Sequence, residues 1–316
     1  MSRRPEITLT QLHYFVAAAE HLSMTEAARD FFVAQSAVSA AIAQLEQLLG
    51  AQLFIRQRAK GIVLTPAGLQ FLGDVRALLL SLDGALDAAR GIDNQVRGTV
   101  RIACFITLAP FLLPEVISRA RSRHPYLDIA VDEVDAEEGR DLVRAGRIEL
   151  LVGYDFALGE DIRRETIVEA PPHIILPVGH PLAGHDRIFL RELSREKLIL
   201  LDLPYSRDYF LRILHSAGLE PDVRHRSRSY ETVRSLVAHG HGFSVLNQRP
   251  AHALTYDGFE VSAIPIADDA PALQVVLASL RDVRQSARAR AVAGIIREVA
   301  RELFDGKRAR GTGTPG

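Results

Sequence analysis

The sequence predicts an α/β chain with a helix-rich N-terminal unit, a long connecting helix and a larger body in which strands and helices alternate. Three observations carry this. Residues 24–49, MTEAARDFFVAQSAVSAAIAQLEQLL, hold two helical patterns separated by a break at Val33 and Ala34. Residues 66–91 keep apolar side chains at three- and four-residue spacing. From Gly98 onward the pattern changes to short apolar runs alternating with helical ones, the order that builds a parallel sheet with crossover helices.

Composition sets the bounds. A chain of 316 residues is long enough for two or three domains, and a hydrophobic fraction of 47% supplies normal globular cores. The formal charge is -1, so the chain as a whole does not announce a polyanion partner. Residues 1–66 carry six basic side chains against five acidic ones, so any affinity for DNA has to come from local placement of charge and from doubling by self-association. The single cysteine, Cys104, excludes an intramolecular disulfide and suits a reducing cytosol. No apolar run follows Arg3-Arg4, so no secretory signal is expected. The apolar stretch near 69–86 is interrupted by Asp74, Arg76 and Asp83, which argues against a membrane span.

In chain order, Thr8 is placed to cap a first helix that buries Leu9, Leu12, Phe15, Val16 and Ala19. Ser23 is placed to cap the second, with Glu26 three residues on as the returning half of a capping box. The third helix puts Val38, Ala41, Ile42, Leu45 and Leu49 on one face and stops at Gly50. Small alanines on the second and third helices let them cross closely, as a helix-turn-helix requires, although an ordinary helical hairpin satisfies the same spacing. Gln35, Ser36 and Ser39 open the third helix, where base edges are met when such a helix enters the major groove. Residues 52–56 and 61–64 read as two short strands around a basic turn, a wing that would bring Arg56, Arg58 and Lys60 to phosphates or the minor groove. A solvated surface hairpin would look the same for any one of them.

Thr65-Pro66 starts the long helix. Leu72, Val75, Leu79, Leu82, Leu86 and Ala89 form a heptad-like seam on a rod of roughly 37 Å, suited to pairing with a second copy. Strands follow at 100–104, 127–134 and 149–153, with helices at 108–123, capped by Thr107, and at 136–145, capped by Asp135. A second run has strands near 174–178, 198–201, 223–226 and 243–246 and helices at 206–217 and 230–239. A strand at 273–280, a helix at 284–304 and a disordered tail at 305–316 complete the chain.

These pieces together resemble the LysR-type transcriptional regulators. The resemblance is carried by LTQLHYF, by MTEAA and AQSAVSAAIAQLEQLLGAQLF-I-R, by LTPAG, GTVRIA and TLAPFLLP, and by RAGRIELLVG and LVAHGHGFSVL. It implies a winged helix-turn-helix at 1–65, a linker and dimerisation helix at 66–92, and a two-lobed effector domain at 98–304 similar to periplasmic binding proteins. Lobe I would be 98–170 with 271–304, and lobe II 171–270. Promoter DNA, a small-molecule effector between the lobes, a second copy and, indirectly, RNA polymerase are the implied partners; no cofactor or membrane is implied, and the place is the cytoplasm. Ser36 and Ala40 stand where the family usually has proline and often has arginine, so an operator sequence does not carry over. No nucleophile elbow, P-loop, GxGxxG or metal signature points to an enzyme.

For the effector, Thr107 is the first candidate, because a helix start with free N–H groups and a hydroxyl suits an anion. Asp135, Tyr154 and Ser206 lie at comparable strand-to-helix junctions, with Tyr205 and Ser229 as weaker candidates. Tyr154 followed by Asp155 speaks against a doubly charged ligand. Cys104 ends an expected buried strand, which argues against a redox role. His239 and His241 have no evident third partner for a metal.

Overall fold

The computed structural model describes residues 6–57, 61–89 and 96–310. The chain forms two compact units: residues 1–93 with 144–147 and 282–286, and the remainder.

The first unit packs helices α1 (Leu9–His21), α2 (Met24–Asp30) and α3 (Gln35–Leu49) around Phe15, Ile42 and Leu45. Thr8 caps α1 in a full capping box with Gln11. Ser23 caps α2, but Glu26 does not reach back to it; its carboxylate holds Arg29 at 2.6 Å instead. The third helix ends on Gly50, whose positive φ of 66° lets the chain turn. Strands β1 (Phe54–Gln57) and β2 (Gly61–Leu64) then pair antiparallel. Glu46 explains the spacing of this join: one carboxylate oxygen accepts from the amides of Leu53 (2.7 Å) and Phe54 (3.1 Å), tying the wing to the middle of α3.

Helix α4 (Pro66–Ala89) belongs to this unit, and its first turns complete the core. Phe15 meets the rings of Phe54 and Phe71 at 5.4 and 5.3 Å, and Leu72 and Val75 are buried beside them. The seam read from the sequence is therefore split. Leu72, Val75 and part of Leu79 pack on their own chain, while the exposed leucines of α4 are Leu69, Leu78 and Leu86.

The second unit has two lobes. The first is a five-stranded sheet in the order β4-β3-β5-β12-β6, built from β3 (Gly98–Phe105), β4 (Leu127–Val134), β5 (Leu150–Tyr154), β6 (Ile162–Ala170) and β12 (Leu273–Leu280). The β3–β4 and β3–β5 pairs are parallel, as the alternation predicts. Strand β12 pairs antiparallel with both β5 and β6, so the sheet is mixed. Helices α5 (Ala109–Arg123) and α9 (Ala287–Arg310) cover one face; α6 (Ala136–Arg144) lies on the other, over Ala103, Leu151 and Val276. Helix α9 runs through residues expected in the tail; 311–316 lie outside the described residues.

In the second lobe β7 (His173–Pro177) lies between β10 (Ser244–Leu246) and β11 (Val261–Pro265), both antiparallel to it. Strands β8 (Lys197–Leu201) and β9 (Asp222–Ser227) pair parallel, with α7 (Ser206–Ser216) and α8 (Tyr230–Ala238) packed on the strands. Phe243 bridges the two sheets, donating to Lys197 O and accepting from Ile199 N. Gly242 permits this approach: with a φ of 146°, a Cβ there would lie 2.0 Å from Lys197 O. Strands β6 and β11 were not expected from the sequence.

Gly68 gives the fold its most direct test. It donates to Thr65 Oγ1, and a Cβ on it would sit 2.1 Å from Leu53 O, where the wing enters. Gly68→Ala is expected to destabilise the first unit by about 2–3 kcal/mol through overpacking. Thermal unfolding of the variant checks this; an unchanged midpoint would show that α4 and the wing are not in this close contact.

Candidate functional site

In the first unit the outer face of α3 presents Ser36, Ala40, Ala43 and Gln47 to solvent, with Gln35 exposed and Ser39 half-buried at its edge. The residues that oppose them, Val38, Ile42 and Leu45, are buried. This face is smooth because its side chains are small, which allows close approach to a surface. Gln35 Nε2 donates to Ser39 Oγ at 2.6 Å, so the pair shares one orientation before any partner arrives. Gln44, also exposed, accepts from Nε2 of the buried Gln11 at 3.1 Å. Arg56 is exposed on β1. Arg58 and Lys60 lie outside the described residues. Phe32, in the turn before α3, is 96% exposed.

In the second unit the lobes meet across a seam built by the carboxyl ends of strands, the usual place for ligands in open α/β sheets. From lobe I come Thr107, after β3; Tyr154, at the end of β5; Phe156; and Asp135 and Arg140, at the start of α6. From lobe II come Tyr205, Ser206, Arg228, Tyr230 and the stretch after β10. Arg228 crosses the seam to Asp135 at 2.9 Å, and Arg140 donates to Tyr205 Oη at 3.2 Å. Tyr205 stacks on Phe156 with ring centroids 6.1 Å apart, and Tyr230 meets Phe111 edge-on at 5.9 Å. Tyr205 holds this place from a positive φ of 62°, an unfavourable backbone for a residue with a Cβ.

Thr107 and Tyr154 are brought together, and both are buried. Burial pushes the Tyr154 phenol well above its usual pKa, and the adjacent Thr107 side chain partly opposes the rise. The pair lacks hydrogen-bond geometry, which leaves Tyr154 Oη buried and unbonded. Thr107 is not the helix cap: α5 is capped by Leu108, whose carbonyl takes the amides of Phe111 and Leu112. Asp135 does cap α6, accepting from Glu137 and Glu138 at 3.1 Å. Ser206 is buried at the first position of α7. Ser229 caps α8.

The sequence reading missed the floor of the seam. Asn247 and Gln248 follow β10 and are buried. Asn247 Nδ2 donates to Ala170 O (2.8 Å) and to Tyr209 Oη (3.0 Å), and Tyr209 donates to Pro271 O (2.8 Å). The signal was present as two amides directly after the mostly apolar stretch Phe243–Leu246, an odd ending for a buried strand. Cys104 is fully buried on β3, where desolvation pushes its thiol pKa far up. His239 pairs with Asp257 at 2.8 Å, while His241 meets the ring of His225.

Known proteins share this arrangement over nearly the whole chain. Residues 9–69 match the family described as bacterial regulatory helix-turn-helix protein, lysR family, and residues 93–301 match the LysR substrate binding domain. HinK, a LysR family transcriptional regulator from Pseudomonas aeruginosa, is 34% identical in its crystal structure, with 93% of this chain and 98% of that one covered and a TM-score of 0.62. A probable hydrogen peroxide-inducible genes activator of Streptomyces viridosporus is 29% identical over 95% of this chain and 97% of its own. A full-length OxyR from Pseudomonas aeruginosa shares the fold at 24% identity and a TM-score of 0.78, covering 94% of this chain and 96% of that one. With the helix-turn-helix and the α/β unit both matched in order, and a family structure covering 93% of the chain, the chain belongs to the LysR family of DNA-binding transcriptional regulators.

Proposed function

We propose that this chain reads promoter DNA as a cytoplasmic homo-oligomer and that a small molecule held between its lobes changes the arrangement of the DNA-binding units and their contact with RNA polymerase. Gln35, Ser36 and Ser39 face base edges, while Arg56, Arg58 and Lys60 face the backbone or minor groove. The helix at 66–92 pairs with a second copy through Leu69, Leu78 and Leu86, the leucines its own chain leaves exposed. Thr107, Asp135, Tyr154 and Ser206 belong to the effector cleft. The observation that carries this reading is the exposed, small-residue face of α3 with Gln35 and Ser39 pre-paired at its edge. A ligand acts on such an assembly by preferring one arrangement of its parts over another.

The test of the DNA half is capture of genomic fragments by the purified protein, followed by affinity measurement on the enriched site. Gln35→Ala is expected to weaken that site by about tenfold, the low end of one lost two-pronged base contact, and to leave non-specific binding unchanged. Equal affinity for the two proteins would remove Gln35 from the base-reading set. Thr107→Val is expected to shift the dose response to ligands that alter site occupancy, with DNA affinity intact; an unaltered dose response would leave Thr107 outside the effector site.

The peroxide response in one relative's name does not transfer to this chain. A thiol reacts with peroxide as an accessible thiolate, and Cys104, the single cysteine, is buried and held as the thiol. Hydrogen peroxide is expected to leave DNA binding unchanged, and a thiol-labelling reagent to react with Cys104 only as the protein unfolds. Rapid labelling of the native protein would overturn this.

A further inference from the structure

Among the described residues, four buried side-chain polar atoms make no hydrogen bond: Tyr154 Oη, Ser244 Oγ, Asn247 Oδ1 and Gln248 Nε2. Three of them gather at the floor of the interlobe seam. Asn247 is bonded to Tyr209, whose hydroxyl reaches Pro271 just before β12, the strand that pairs with Tyr154 through Val275, and Tyr230 donates to the carbonyl of Gln248. The orientation of Asn247 is fixed, because both its amide hydrogens are used, on Ala170 O and Tyr209 Oη. Its carbonyl oxygen therefore stands as a buried acceptor with no donor, while Tyr154 supplies a buried hydroxyl with no acceptor. Leaving such groups unpaired costs about 1–3 kcal/mol each, which a matched partner recovers.

Several amides at the helix starts around the seam are already taken. Pro110 at the second position of α5 has no N–H, and the amides of Phe111 and Leu112 are already bound to Leu108 O. At α6 the amides of Glu137 and Glu138 are taken by Asp135, and both residues add negative charge in the first turn. Helix α7 opens with Arg207 and Asp208 held on each other, and Glu231 in the first turn of α8 is held by Arg234. The two arginines that bridge the seam are already engaged, Arg228 on Asp135 and Arg140 on Asp141 and Tyr205.

We propose that the cleft ligand is an uncharged molecule of the carboxamide or phenol class, giving an N–H or O–H to Asn247 Oδ1 and accepting from the Tyr154 hydroxyl, and that carboxylates are refused. This rests on the cleft being the effector site. A carboxylate offers acceptors only, so it meets the Asn247 oxygen lone pair to lone pair; a carboxamide of the same shape satisfies both groups. Gln248 Nε2, likewise buried without an acceptor, is a further donor on the same floor.

The experiment compares matched pairs on the full-length protein: benzamide with benzoate, salicylamide with salicylate, nicotinamide with nicotinate. Binding is read by titration calorimetry and thermal shift in wild type, Tyr154→Phe and Gln248→Leu. The expected result is that amides bind at least about tenfold more tightly than their acids, a difference of about 1.4 kcal/mol. Tyr154→Phe is expected to weaken amide binding by a similar factor while leaving the unliganded midpoint unchanged or higher, since it removes a hydroxyl that bonds to nothing. Acids binding as well as amides, no amide binding at all, or a clear loss of unliganded stability in Tyr154→Phe would each overturn the proposal. Acids that bind and are weakened by Tyr154→Phe would leave the cleft reading standing and remove only the uncharged class. Binding indifferent to both substitutions would remove the cleft reading itself.

Discussion

The two-lobed unit depends on one buried pair, Asn247 and Tyr209. The chain passes between the lobes twice, after β6 at Ala170 and before β12 at Pro271, and each passage offers a backbone carbonyl to lobe II. Asn247 binds the first and Tyr209 the second, and the two side chains are bonded to each other. Both residues belong to lobe II, so lobe II grips both strands of its own hinge. Each bond contributes only about 1 kcal/mol net, but an unmade bond at this depth costs more than a made one contributes. The consequence for function follows from the same geometry: once both amide hydrogens are committed to the hinge, the remaining oxygen of Asn247 has one direction left to face.

Much of the fold was legible because local chemistry and tertiary packing agree. Thr8, Ser23 and Asp135 cap helices where their side chains predict, and Gly50 ends α3 through a positive φ. The misses have physical causes. Strand β6, IRRETIVEA, keeps charged side chains outward on a sheet edge, so its apolar period is too sparse to stand out. Strand β11 is five residues ending in proline. The long-helix pattern is genuine, but periodicity does not say whether an apolar stripe is buried by its own chain or by another; Leu72 and Val75 are taken in cis.

The candidate site was less legible than the fold, for a related reason. Strand-to-helix junctions can be found from sequence, and Thr107, Asp135 and Ser206 occupy such places; Tyr154, expected at another, ends β5 and leads into strand β6 instead. What each one does there depends on a shift of a single residue. With the cap moved to Leu108, Thr107 leaves the helix start and lies against Tyr154. Asn247 and Gln248 carry no local signature beyond polar character after an apolar strand; their importance arises from Ala170 and Tyr230, distant in sequence.

The hinge and the mouth of the seam are held by interactions of different kinds. At the hinge the bonds are buried and geometrically fixed. At the mouth, Arg228 is 71% exposed in its pair with Asp135, and such exposed pairs contribute about 0–1 kcal/mol. The Phe156–Tyr205 stack adds about 0.5–1.5 kcal/mol, and against it stands the strained φ of Tyr205, itself a cost of about 1–3 kcal/mol. The contacts that close the mouth therefore come close to cancelling, while the buried polar groups on the floor hold unspent hydrogen-bonding capacity. Satisfying even two of those groups contributes as much as the net of the Arg228 pair and the Tyr205 stack, so the floor holds more binding capacity than these two contacts at the mouth.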